Sequence, residues 1–244
     1  MPVITGVKQK SAAFTLKKIA EKKSAPFYRL GDDFKIRENI DGAFSYSGIN
    51  NNWNNIRTGL SGSHQFKNAS LVLAACEVLN QRLTDISIKL IRKGIEQNKW
   101  PGRLEIVSKK PMVILDGAHN IDAVKTLSRY LSDNFKNRFL TLVIGILDDK
   151  PYVSMLKTLL PLCKNAILTS PKIDRALPAE KLFNVAEKII SDVKIISDVG
   201  EAVLYSIDNA GPDEVVCVAG SLYVIGEAKE ALETRGKPSF KLKT

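Results

Sequence analysis

Beyond residue 104 the apolar positions gather into short runs: Met112–Leu115, Phe139–Leu147, Ala166–Thr169, Val193–Ile196 and Glu214–Ala219. Each run has the length of a strand. The stretches between them have helical spacing. They predict helices near Ile121–Phe135, Tyr152–Leu160, Ala179–Ile190 and Gly200–Asp208, and a last one over about Ser221–Thr234. Strands alternating with helices predict an α/β fold with a doubly wound, mostly parallel sheet.

The first hundred residues follow no such rhythm. Pro2–Gly6 is a short apolar run that fits a strand. Ser11–Lys23 predicts a helix with Ser11 as N-cap and Ala12, Leu16, Ile19 and Ala20 on one face. Phe27–Tyr46 mixes aromatic and polar residues around Gly31 and Gly42, which predicts short strands and turns. Asn50–Asn55 sets asparagines around Trp53 and predicts a surface turn. Gln65–Asn80 predicts a helix carrying Leu71, Ala74, Ala75, Val78 and Leu79, and a second helix runs from a cap at Thr84 to Gln97. Trp100-Pro101-Gly102-Arg103 stops that helix, and the periodicity changes across it. The expected organisation is one domain portion over 1–100, a hinge at 101–104, the α/β domain over 105–235 and a polar, basic tail at 236–244.

Composition narrows the class. With 244 residues, 44% of them hydrophobic, the chain can fill a core, yet no apolar run nears the ~20 residues of a membrane span. The start, MPVITGVKQK, carries no apolar segment behind a basic one, so no secretory signal is expected. Cys76, Cys163 and Cys217 each sit among apolar residues without metal-knuckle spacing, which predicts reduced thiols and a cytoplasmic protein. The net charge of +10 fits nucleic acid, a membrane surface or anionic small molecules. The lysines are scattered, however, and the densest group, Lys17, Lys18, Lys22 and Lys23, has the spacing of a solvated helix face. No nucleic-acid module is recognisable, so small anionic molecules are the expected partners, with no nucleic acid and no membrane.

Ligands of an open α/β sheet collect beyond the carboxyl ends of its strands. Two such ends carry unusual polar residues. Leu115-Asp116-Gly117-Ala118-His119-Asn120 places an acid and one of only two histidines directly after a strand, with Asn120 able to cap the next helix. On spacing alone Asp116 and Asn120 could merely shape the turn. Ala219-Gly220-Ser221 opens the last helix, where free N–H groups and the helix dipole favour an anion, although Ser221 could be a simple cap. Asn68, on the first turn of the Gln65–Asn80 helix, could face core, solvent or a planar ring such as adenine. Arg103, in the hinge, suits a polyphosphate if it faces a cleft and is otherwise an ordinary surface arginine.

Together these segments resemble the folylpolyglutamate synthase/dihydrofolate synthase family of the Mur ligase superfamily. Leu60–Ala69 is similar to its L-x-G-x-H-Q-x-x-N-A stretch, Trp100–Glu105 to W-P-G-R-L-E, Leu115–Asn120 to D-G-A-H-N and Gly145–Lys150 to G-x-x-x-D-K. Arg175-Ala176-Leu177 and Gly220-Ser221-Leu222-Tyr223 follow in the family's order. The resemblance implies the end portion of a central ATPase domain followed by a C-terminal, Rossmann-like domain of Mur ligase type. It implies ATP-dependent joining of L-glutamate to folate or dihydropteroate through an acyl phosphate, with ATP and Mg2+ required, by a monomer. It assigns Asn68, Arg103 and Asp116 to ATP, and Asp116, His119 and Ser221 to glutamate, with Asp116 and His119 catalytic.

One family motif is missing: no G-x-x-x-x-G-K-S loop occurs in the 244 residues. The resemblance places that loop and the magnesium ligands in the earlier half of the family's proteins, so no metal ligand is expected here. The expectation is a chain without ligase turnover of its own. The alternatives are a non-catalytic nucleotide- or glutamate-binding fragment, and another Mur-type amide ligase.

Overall fold

The strand Val3–Thr5 (β1) leads into the helix Lys10–Lys22 (α1) in a computed structural model that describes residues 1–80 and 87–235. The chain divides into two compact units, Met1–Trp100 and Pro101–Thr244. In α1 the expected cap is corrected: Gln9 occupies the N-cap position, and Ser11 lies inside the helix with its carbonyl accepting from Thr15 Oγ1. The apolar face is corrected too. Ala13 and Ala20 are buried, while Leu16 and Ile19 are exposed. Periodicity gives the turn of a helix but not which side meets its neighbours, and here small residues make the contact.

Phe27–Arg29 (β2) pairs in parallel with β1. Lys35–Glu38 (β3), Phe44–Ser47 (β4) and Asn52–Ile56 (β5) form an antiparallel sheet. The expected surface turn at Asn50–Asn55 is therefore largely a strand. Trp53 is the cross-strand partner of Tyr46, and their rings stack with centroids 5.5 Å apart. That aromatic pair outweighs the turn preference of asparagine. The register slips between this pair and Phe44↔Ile56, where Asn55 takes a φ of +55°.

His64–Asn80 (α2) packs Ala69, Leu73 and Ala74 into the core of this unit with Phe34, Phe44 and Ile56. Ile88–Gln97 (α3) follows, capped by Ser87, whose side chain accepts from the Leu90 N–H. The expected cap, Thr84, lies outside the described residues. Buried Glu77 of α2 accepts from the Tyr46 hydroxyl (2.7 Å), from the N–H groups of Ile49, Asn50 and Asn51, and from the Asn51 side chain.

The second unit holds a six-stranded sheet. Its elements are Glu105–Lys109 (β6), Met112–Asp116 (β7), Ile121–Phe135 (α4), Leu140–Ile144 (β8), Tyr152–Leu159 (α5), Asn165–Leu168 (β9), Ala179–Ala186 (α6), Val193–Ile195 (β10), Val199–Asp208 (α7), Val215–Ala219 (β11) and Leu222–Arg235 (α8). The strand order is β10-β9-β8-β11-β7-β6, parallel except for β6 against β7. The α/β, doubly wound expectation holds, and β6 is an addition to it. β6 is a polar edge strand with a bulge, so its sequence carries no buried-strand pattern.

Alternation along β11 explains the layers. Val215, Cys217 and Ala219 face one core with Leu127, Leu156 and Leu182 of α4, α5 and α6. Val216 and Val218 face the other with Val203 of α7 and Val224 and Ala228 of α8. A strand buried on both faces reads as a continuous apolar run. Among the described residues no helix is long and apolar enough to cross a membrane.

Candidate functional site

β7 and β11 end side by side, with Ala219 paired to Asp116. The chain leaves β7 for α4 on one face and leaves β11 for α8 on the other. Departure to opposite faces is the arrangement beside which ligands of open α/β sheets bind. Gly220 follows β11 directly. Its N–H donates to the Ala118 carbonyl at 3.1 Å, and its φ is +109°.

Asp116 is half-buried, and both its oxygens are engaged. Oδ2 accepts from the Leu104 N–H at 2.9 Å and Oδ1 from the Ala118 N–H at 3.0 Å. Burial pushes its carboxyl above the ordinary aspartate value, against the pull of those N–H bonds and of neighbouring Arg103 and His119. The Gly117 N–H donates to the Gly102 carbonyl at 2.7 Å, so the Asp116 loop and the Arg103 turn are stitched together. Arg103 itself is exposed beside Asp116.

His119 is half-buried, with Nδ1 2.8 Å from the Gly117 carbonyl oxygen. A carbonyl only accepts, so this contact assigns the proton to Nδ1 and leaves Nε2 of the neutral ring as an acceptor. Asn120 caps α4 by accepting from the Ala123 N–H. Ser221 is 1% exposed, and its hydroxyl caps α8 by accepting from the Val224 N–H at 3.2 Å. The hydroxyl is thus engaged in capping, and what α8 offers a ligand is the positive end of its dipole and its first-turn N–H groups.

A cation group stands at the tip of the next strand. Asp149, after β8, is salt-bridged to Lys150 at 2.6 Å and to Arg175 at 2.9 Å. These partners pull its carboxyl down to about 2. Tyr223, on the first turn of α8, lies within electrostatic range of Arg175. Sequence reasoning quoted both motifs but gave these residues no role, because an Asp-Lys pair and a distant arginine look like solvated charges until the fold joins them.

The structure therefore brings together Arg103, Asp116, His119 and Ser221. Asn68 belongs to the other unit. It is exposed on α2, its Nδ2 donates to Gln65 Oε1 at 3.0 Å, and it lines a mostly apolar cavity of about 380 Å³ with Val72, Leu90, Ile91 and Ile95. Among the described residues no group of three or more His, Cys, Asp or Glu could hold a metal ion.

Residues 102–222 match the family model described as Mur ligase, glutamate ligase domain. The dihydrofolate synthase/folylpolyglutamate synthase of Bacillus subtilis is 34% identical over 96% of this chain and 55% of its own length. The crystal structure of folylpolyglutamate synthase from Thermotoga maritima superposes with a TM-score of 0.79 at 31% identity, covering 96% of this chain and 54% of that one. Escherichia coli FolC in complex with DHPP and ADP superposes with a TM-score of 0.85 at 27% identity, covering 97% and 54%. The chain belongs to the folylpolyglutamate synthase/dihydrofolate synthase family. It spans about half the length of the curated relatives it matches. The match to the glutamate ligase domain includes Arg103, Asp116, His119 and Ser221, and leaves Asn68 outside it.

Proposed function

We propose that this chain is the glutamate-receiving part of an ATP-dependent ligase that joins L-glutamate to folate or dihydropteroate. The observation that carries the reading is the meeting of the β7 and β11 tips. Beside them lie an arginine, an acid and an imidazole on one side and a helix N-terminus on the other. In the proposed reaction ATP transfers its terminal phosphoryl group to the substrate carboxylate. The glutamate amine attacks the acyl carbon, phosphate leaves with the C–O electron pair, and the nitrogen gives up a proton as the amide forms.

The residues suit those steps. Negative charge builds on the phosphoryl oxygens, and fixed cations stabilise it best in a site shielded from water. Arg103 supplies such a charge. The α8 N-terminus and the Lys150–Arg175 cations offer positive potential to the carboxylates of glutamate. We give His119 Nε2 the role of accepting the amine proton. Asp116 holds the turn that carries Arg103 and, by its charge, favours the glutamate ammonium. Asn68 and its apolar cavity take the adenine ring. We assign the ligands of the Mg2+ that this chemistry implies to the part of the enzyme outside these 244 residues. We place the working enzyme in the cytoplasm as a monomer.

Because no G-x-x-x-x-G-K-S loop is present in the 244 residues, we expect the chain alone to bind ligands without turning over. The test is release of ADP from ATP with folate or dihydropteroate and L-glutamate. It compares the chain alone with the chain fused to the part of the Bacillus subtilis relative that it does not match. The expected result is no release by the chain and glutamate-dependent release by the fusion. Turnover by the chain alone would overturn the dependence. Release from the fusion driven by another amino acid would favour a different Mur-type amide ligase. Ligand binding with no turnover in either form would favour a non-catalytic binding fragment.

A further inference from the structure

The turn that carries Arg103 is held from both sides. On one side Leu104 N–H donates to Asp116 and Gly102 O accepts from Gly117. On the other, Gly102 N–H donates to Glu105 Oε2 at 2.7 Å, and the second oxygen of Glu105 meets Lys229 Nζ of α8 at 2.8 Å. Neither residue of this pair is fully exposed, the side chains retaining 27% and 28% of their accessible surface. The backbone between them is unusual. Gly102 has a φ of +68°, and Leu104, only 2% exposed, has a φ of +46°, a conformation a leucine adopts only when its surroundings impose it.

α8 packs against Gly102 and Gly117 from one face. Leu222, Ile225 and Lys229 are spaced three and four apart and so line up along the helix. A Cβ on Gly117 would lie 2.4 Å from Leu222 Cδ2, and one on Gly102 would lie 2.8 Å from Ile225 Cγ2. Lys229 then reaches Glu105. The helix whose N-terminus follows the β11 tip thus packs along the turn that presents the arginine.

We propose that Glu105 and Lys229 are positioning residues for Arg103, a polar clamp through which α8 fixes the guanidinium against the nucleotide phosphates. The inference rests on the reading of Arg103 as a phosphate ligand. A guanidinium grips phosphate through paired N–H groups in a fixed plane, so its value depends on the backbone that aims it. Without Glu105 the Gly102 N–H loses a charged acceptor, and the strained Leu104 conformation loses one of its supports.

The test is ATP affinity of the 244-residue chain by calorimetry, together with amide hydrogen exchange at Gly102 and Leu104. Arg103→Gln, Glu105→Gln, Lys229→Met and Lys229→Arg are compared with the unmodified chain. Glu105→Gln is expected to speed exchange at Gly102 and to weaken ATP binding about threefold to tenfold. Lys229→Met should do the same more weakly, and Lys229→Arg should keep the original affinity. Unchanged exchange at Gly102 in Glu105→Gln would show that there is no clamp. Faster exchange with undiminished ATP affinity, while Arg103→Gln binds weakly, would overturn the positioning role and leave the Arg103 reading intact. If ATP binds the unmodified chain and Arg103→Gln alike, or neither, the Arg103 reading fails and the proposal falls with it.

Discussion

Gly220→Ala is expected to destabilise the second unit by about 3–5 kcal/mol, since a strained backbone and an unavoidable collision act at one residue. At φ +109° no L side chain is comfortable. The added Cβ would lie 2.4 Å from the Gly145 carbonyl oxygen and 2.9 Å from Ile144 Cγ1. The first of these is backbone at the end of β8, so it cannot swing away as a side chain could. Relief would require moving the β11 tip away from β8, and the Gly220 N–H bond to Ala118 would be lost with it. The same shift would carry Ser221 away from the Asp116 loop. Urea unfolding followed by exchange of the β8 and β11 amides measures the effect. A loss below about 1 kcal/mol would show that the tips are not packed as tightly as described.

Glu77→Ala is expected to cost the first unit a further large amount, about 3–5 kcal/mol, because it strips a buried, fully engaged carboxylate from its donors. Glu77 is 3% exposed and ties α2 to the turn between β4 and β5 through the N–H groups of Ile49, Asn50 and Asn51. It also accepts from Tyr46, whose hydroxyl burial and Glu77 together hold well above the ordinary tyrosine value. Removing the carboxylate leaves several N–H groups without their acceptor. Glu77→Gln should cost less, about 2–3 kcal/mol, because one oxygen survives while the new amide group opposes N–H donors. Near-identical melting of the Gln variant and the unmodified chain would contradict the charged role.

Most of the second unit was legible because its strands are buried on both faces and so appear as unbroken apolar runs. The helix expected over Ile121–Phe135 has those bounds in the structure. β6 was not legible, since an edge strand carrying Glu105, Ser108 and Lys109 lacks that signature. β5 was hidden for a different reason. Its asparagines speak for a turn, and only the partner ring of Tyr46 makes Trp53 a strand residue. The tips at Asp116 and Ser221 could be found because polar residues after an apolar strand stand out locally. The clamp between Glu105 and Lys229 spans 124 residues of sequence and leaves no local trace.

The central claim is that the β7 and β11 tips form one site for an anionic amino acid. The direct measurement is a titration of the isotopically labelled chain with L-glutamate, followed by amide NMR. Saturable shifts are expected at Ala118, His119 and the first turn of α8 from Ser221 to Val224, all with one dissociation constant, and a Ser221→Asp variant should abolish them. Saturable shifts confined to other surfaces, or shifts at the two tips with unrelated dissociation constants, would contradict the account.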